Sequence, residues 1–159
     1  HRQAPVMLAG HVIDLANKAL DGMTSACIWD LYSGAGLFTL PLATMTAERT
    51  RMLSVEGGKT AVKNAQRNLR ALNLLMWTPV AAMCPPRSRT CRPSVTTRSV
   101  VLDPPRAGAH AKVCRQIAQA GAKDVIYVAC DPTSLARDTA TLISLGYRLS
   151  DIRAYDIYR

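Results

Sequence analysis

Apolar residues recur at helical spacing over residues 5–21, at Leu8, Val12, Leu15, Ala16 and Ala19, and Gly22 is placed to end that helix. Ala26 to Tyr32 (ACIWDLY) reads instead as a short, continuous apolar run, the pattern of a buried strand. It passes at once into Gly34-Ala35-Gly36 and a second apolar segment, Leu37 to Ala43. Arg51 to Glu56 (RMLSVE) is a further short strand. Lys59 to Leu72 gathers Val62, Ala65, Leu69 and Leu72 on one helical face and turns Lys63, Arg67 and Arg70 outward. Ser99 to Asp103 and Asp124 to Cys130 are two more apolar strands, separated by a helix over roughly Ala109 to Ala120. Asp131-Pro132 supplies an N-cap and a proline at the first helical position, and Gly146 closes that helix. Tyr147 to Tyr155 is expected to form a last strand.

Strands alternating with helices predict an α/β fold, a Rossmann-like and mostly parallel sheet with helices on both faces. In such sheets ligands sit beyond the carboxyl ends of the strands. Asp30, Glu56, Asp103 and Cys130 all fall at predicted strand carboxyl ends. One such acid is usually a cap or turn former; four polar strand ends in register point to a site. Leu74 to Arg98 breaks the pattern, with Pro79, Pro85, Pro86 and Pro93 and no apolar period. Structureless loops of that length are uncommon inside compact domains, so the segment reads as out of register with the reading frame of its flanks.

The chain has 159 residues, 48% of them apolar, which suits one domain over 1–159 with a core of its own and excludes a fully disordered chain. No apolar run reaches the roughly 20 residues of a membrane-spanning helix, and no signal-peptide pattern opens the chain. Five cysteines without a CxxC pair predict a reduced, cytoplasmic setting and no metal site. The first residue is His1 rather than Met, which suggests a fragment, and a monomer is expected. The formal charge is +9, and no acid lies between Glu56 and Asp103 while Lys59, Lys63, Arg67, Arg70, Arg87, Arg89, Arg92 and Arg98 do. That excess suits a polyanionic partner such as nucleic acid.

The turn Asp30-Leu31-Tyr32-Ser33-Gly34-Ala35-Gly36 lets a ligand approach the backbone, and Glu56 follows Gly34 by 22 residues, where an acid grips ribose hydroxyls. A dinucleotide fingerprint would require a third glycine at Thr39, so an adenosine ligand without pyrophosphate fits better, with S-adenosylmethionine as the leading candidate. Asp103-Pro104-Pro105-Arg106 is a stiff turn that sets Asp103 at the pocket mouth beside a guanidinium. Cys130 lies between a strand and a helix N-terminus, whose dipole favours an anion there, while Asp131 opposes one. Cys27, Cys84, Cys91 and Cys114 lack that placement and read as core thiols.

DLYSGAGLFTLPLA (Asp30 to Ala43), VEG with AVKNAQRNLRALN, VVLDPPRAGA (Val100 to Ala109) and YVACDPTSLARD followed by LGY resemble the RNA 5-methyluridine (uracil-C5) methyltransferase family, in the family's order. The resemblance covers residues 1–73 and 99–159. It implies the class I methyltransferase fold, S-adenosylmethionine as donor, and C5 of a uridine in tRNA or rRNA as acceptor. It also implies that Cys130 attacks C6 of the base, and that Tyr32, Gly34, Gly36, Glu56 and Asp103 bind the cofactor. Leu37 and Asp131 depart from the family's usual Asn at both positions, and the general-base glutamate is expected after Asp156 to Arg159. The chain therefore reads as a catalytic domain cut at both ends, with weak activity of its own. Two other readings compete. An amino-group methyltransferase also carries an Asx-Pro-Pro turn, though usually followed by an aromatic rather than Arg106. A non-catalytic remnant would at most bind RNA through the basic middle.

Overall fold

The computed structural model describes residues 4–23, 26–46, 50–74, 80–81 and 97–156. Its elements alternate as the apolar pattern predicts: α1 (Ala4–Leu20), β1 (Ala26–Leu31), α2 (Thr39–Thr46), β2 (Thr50–Glu56), α3 (Lys59–Ala71), β3 (Val80–Ala81), β4 (Thr97–Leu102), α4 (His110–Gln119), β5 (Asp124–Tyr127) and α5 (Pro132–Ser144). The strands are parallel and lie in the order β3-β2-β1-β4-β5. The chain builds outward from β1 through β2 to β3, then crosses back to add β4 and β5 on the other side. The order reverses between β1 and β4, and a crevice opens above the carboxyl ends there.

β1 is buried along its whole length, and strand alternation divides its residues between two layers. Cys27, Trp29 and Leu31 join Leu53, Val55, Val100 and Leu102 beneath Val113 and Ile117 of α4. On the opposite face Val101 packs against Val12 and Ala16 of α1 and Phe38 and Leu42. Cys27 is disulfide-bonded rather than the free core thiol expected of it. Helices α3, α4 and α5 end alike. Asn73, Gly121 and Gly146 take left-handed φ of 57°, 73° and 97°, and the amides beyond them reach back to Leu69, Ile117 and Leu142.

Three expectations change. β5 stops at Tyr127 and is a half-buried edge, not a strand buried to Cys130; one further bond, Val128 N–H to Leu102 O at 2.8 Å, ends its pairing. Tyr147 to Tyr155 forms no strand. Tyr147 is tethered by its hydroxyl to Ala122 O at 2.8 Å, and residues 148–154 are exposed. Leu149, Ile152 and Tyr155 recur every third residue, which cannot build one strand face. Within 74–98, Val80–Ala81 pairs with Val55 and Glu56 as a short third strand, and Thr97 and Arg98 already belong to β4. Residues 75–79 and 82–96, on which the frame-shift reading rests, lie outside the described residues.

Candidate active site

Past Leu31 the backbone turns sharply through Tyr32, Gly34 and Gly36, with φ of 61°, 54° and 102°. Left-handed backbone costs a non-glycine residue of order 1–3 kcal/mol, so the turn holds Tyr32 in strain. A Cβ on Gly36 would meet Leu40 Cγ at 3.0 Å, whereas Gly34 faces open space. Glu56 anchors the turn from behind: Oε2 accepts from Gly34 N–H at 2.9 Å and Oε1 from Gly58 N–H at 2.7 Å. Asn68 of α3 donates to Ala35 O at 3.2 Å. A cleft of about 430 Å³ lies at the switch point, lined by Tyr32 to Phe38, Leu40, Pro41 and Asp103.

Tyr32, Gly34, Gly36 and Asp103 are therefore brought to one cleft. Glu56 is not on its wall and acts through the turn. Asp103 is held to β1 by its N–H, 3.3 Å from Leu31 O, and burial raises its carboxyl above the usual range. Cys130 is a free, exposed thiol three residues past β5, on the same carboxyl edge but outside the cleft lining. Asp131 beside it caps α5, accepting from Ser134 N–H at 2.8 Å; that bond, with the Arg106 guanidinium contributing, holds its carboxyl low.

Two polar clusters escape the sequence reading. Asp138, fully buried in α5, accepts at Oδ2 from Ala109 N–H at 2.7 Å, His110 N–H at 3.2 Å and Tyr127 O–H at 2.8 Å. Its Oδ1 accepts from Arg137 Nε at 3.0 Å, and Arg137 Nη2 donates to Ala107 O at 2.7 Å. Burial opposes this charge, but the bonds from Tyr127, Arg137 and the two amides outweigh it and hold the carboxyl low. The hub pins the loop after Asp103 onto α5. Its sequence signal is an acid at the position between Ser134 and Leu142 on the buried face of α5. Gly108, at φ 82°, has room only for hydrogen, since a Cβ would lie 2.5 Å from both Arg137 Nη2 and Asp138 Oδ2. Gly108→Ala should cost about 1–3 kcal/mol in urea unfolding; an unchanged midpoint would show that the hub yields.

The second cluster lies beneath the glycine turn. Asp30 is fully buried; Oδ2 accepts from the Thr39 hydroxyl, and Oδ1 has no partner among the described residues. Ser54 Oγ donates to Ser33 Oγ at 2.7 Å and lies 3.4 Å from Thr39 Oγ1. Burial, opposed by the Thr39 bond and reinforced by Asp103 and Glu56, raises the Asp30 carboxyl to about 7.

No protein-family model matches the chain. It is 66% identical to an uncharacterized RNA methyltransferase of Bifidobacterium longum, over 99% of this chain and 37% of that protein. It is 40% identical to the 23S rRNA (uracil(1939)-C(5))-methyltransferase RlmD of Pseudomonas fluorescens, over 82% of this chain and 28% of that enzyme. The chain thus spans between about a quarter and little more than a third of the length of these relatives. The fold is shared with precorrin-6y C5,15-methyltransferase of Geobacter metallireducens, at TM-score 0.66 and 14% identity over 87% of this chain and 72% of that one. It is shared equally with Aeropyrum pernix fibrillarin, solved with S-adenosyl-L-methionine, at TM-score 0.66 and 16% identity over 91% of this chain and 69% of that one. Over the segment it covers, the chain thus has the class I methyltransferase fold and is similar in sequence to RNA methyltransferases, a 23S rRNA uracil-C5 enzyme among them.

Proposed function

We propose that this chain is the cofactor-binding and catalytic part of an S-adenosylmethionine-dependent RNA methyltransferase that modifies C5 of a uridine. The observation that carries the reading is the convergence, on one carboxyl edge of the sheet, of the glycine-turn cleft, Asp103 and the exposed thiol of Cys130. The cleft suits the cofactor's chemistry. Gly34 leaves its side open, and a carboxyl raised by burial faces into it at Asp103, which a cationic ligand would favour in its charged form. S-adenosylmethionine supplies an electrophilic methyl group on a sulfonium. Fibrillarin, of the same fold, was solved with it bound.

The Cys130 thiolate adds to C6 of the uracil, forming a C–S bond and moving the C5–C6 pair toward O4. C5 becomes the nucleophile and takes the methyl group. Loss of the C5 proton then expels the thiolate and restores the double bond, so one difficult step is divided into easier ones. Cys130 sits in the open because its partner is a macromolecule. Labelled cofactor and transcribed 23S rRNA, followed by nucleoside analysis, test the assignment: label is expected in 5-methyluridine, and label on an exocyclic nitrogen would move the chain to the amino-group enzymes.

Glu56 serves the cofactor by holding the Gly34 amide in place with its carboxylate, not by gripping the ribose itself. Glu56→Ala should weaken S-adenosylmethionine binding about 5–150-fold by calorimetry, the effect of losing about 1–3 kcal/mol. Equal affinity would remove Glu56 from the site.

A further inference from the structure

Helix α3 carries Lys59, Lys63, Arg67 and Arg70 on its exposed side, while Val62, Ala65 and Leu69 are buried beneath. A solvated helix face ordinarily interleaves acids with such residues. This one has none, and no acid occurs anywhere between Glu56 and Asp103. The arrangement works against the helix itself. Lys59 and Lys63, and Lys63 and Arg67, are like charges four apart, and Lys59 sits in a first turn without acids, where the dipole disfavours a cation. Among the described residues no carboxylate pairs with any of the four. An uncompensated charge stripe that opposes local stability is the mark of a surface waiting for an anion.

Its position suits a long anion rather than a small one. Asn68 ties α3 to the glycine turn, and the helix begins three residues after Glu56, at the rim of the sheet's carboxyl edge. From there the four cations descend by about 6, 12 and 16 Å along the axis. The first two steps, about 6 Å each, match the spacing of successive phosphates on an extended strand, and the last, three residues long, is shorter at about 4.5 Å. Three strand spacings, roughly 14 Å, separate β2 at this rim from β5, beside the thiol.

We infer that this face of α3 is a docking track for the phosphate backbone of an RNA strand that crosses the carboxyl edge from Cys130, an inference that rests on the RNA methyltransferase reading. Four phosphate contacts by a single strand give a salt slope of about −2.8, a loss of about 50-fold between 50 and 200 mM salt.

Fluorescence anisotropy with a labelled uridine-rich single strand of about a dozen nucleotides tests the track. Lys63→Gln with Arg67→Gln should reduce the slope by about 1.4, at a melting temperature equal to or slightly above the parent's, because both side chains are exposed and their like-charge repulsion is relieved. Arg148→Gln with Arg153→Gln, equally exposed but off the helix, should leave the slope unchanged. A wild-type slope in the α3 variant, an equal fall in the control, or no binding by the parent chain would overturn the track. Calorimetry with S-adenosylmethionine on the same proteins separates the two ideas: cofactor bound without RNA leaves the methyltransferase reading standing and removes the track, whereas strand binding through α3 without cofactor does the reverse.

Discussion

Asp30→Asn is expected to flatten the stability of this domain between pH 4 and pH 7. The folded protein holds the Asp30 proton up to about pH 7, while the unfolded chain releases it near 3.8. The folded state therefore binds more protons over that window, and unfolding free energy falls as pH rises through it. About three pKa units correspond to about 4 kcal/mol from this one carboxyl, lost by pH 7 and not regained above it. Asp103, also raised by burial, adds a smaller slope of the same sign. Asp138 acts oppositely, but its contribution is already complete above the ordinary carboxylate range and disappears only below it. Urea unfolding at pH 5 and pH 8 reads the effect. The parent should be clearly less stable at pH 8, and the variant nearly indifferent and more stable than the parent there. Parallel curves would show that Asp30 ionises freely. Above about pH 7, where Asp30 is ionised, the variant should also bind S-adenosylmethionine less well, because the charge it lacks there favours a cationic ligand above the turn.

Cys130→Ala should abolish covalent attachment of RNA while leaving cofactor affinity within about twofold. The separation follows from geometry: the thiol is exposed and lies outside the cleft lining, so its loss changes no wall of the cofactor site. Removing a nucleophile outright typically costs about 10⁴-fold or more, since what remains is binding alone. RNA carrying 5-fluorouridine makes the step visible, because fluorine replaces the C5 proton whose loss would expel the thiolate. A denaturing gel should show a slow-migrating adduct with the parent chain and none with the variant. Cofactor binding that fell equally would mean that Cys130 serves the fold rather than the reaction.

Most of this architecture was legible because the strands are short apolar runs and helices α3 and α4 are strongly amphipathic. Asn73, Gly121 and Gly146 mark helix ends by the left-handed conformation that a Schellman turn requires. Tyr32, Gly34, Gly36 and Asp103 were legible because strand-end residues before a parallel crossover share one crevice. Asp138 was not: an acid on a buried helical face gives no hint of the loop that it pins until the α4 loop is folded against it. Asp30 was seen as a strand end, yet its depth and missing partner depend on α2 closing over it through Thr39. The expectation of a strand over Tyr147 to Tyr155 failed because its apolar residues recur every third position, a spacing that builds no strand face.

The most direct test of the account is peptide mapping of the trapped complex. After incubation with S-adenosylmethionine and 5-fluorouridine RNA, the product is digested with ribonuclease and protease and analysed by mass spectrometry. One modified peptide is expected, with a nucleotide attached through the Cys130 sulfur and a methyl group on that same base. A methylated base found with Cys130 unmodified, or an adduct on a different residue, would contradict it.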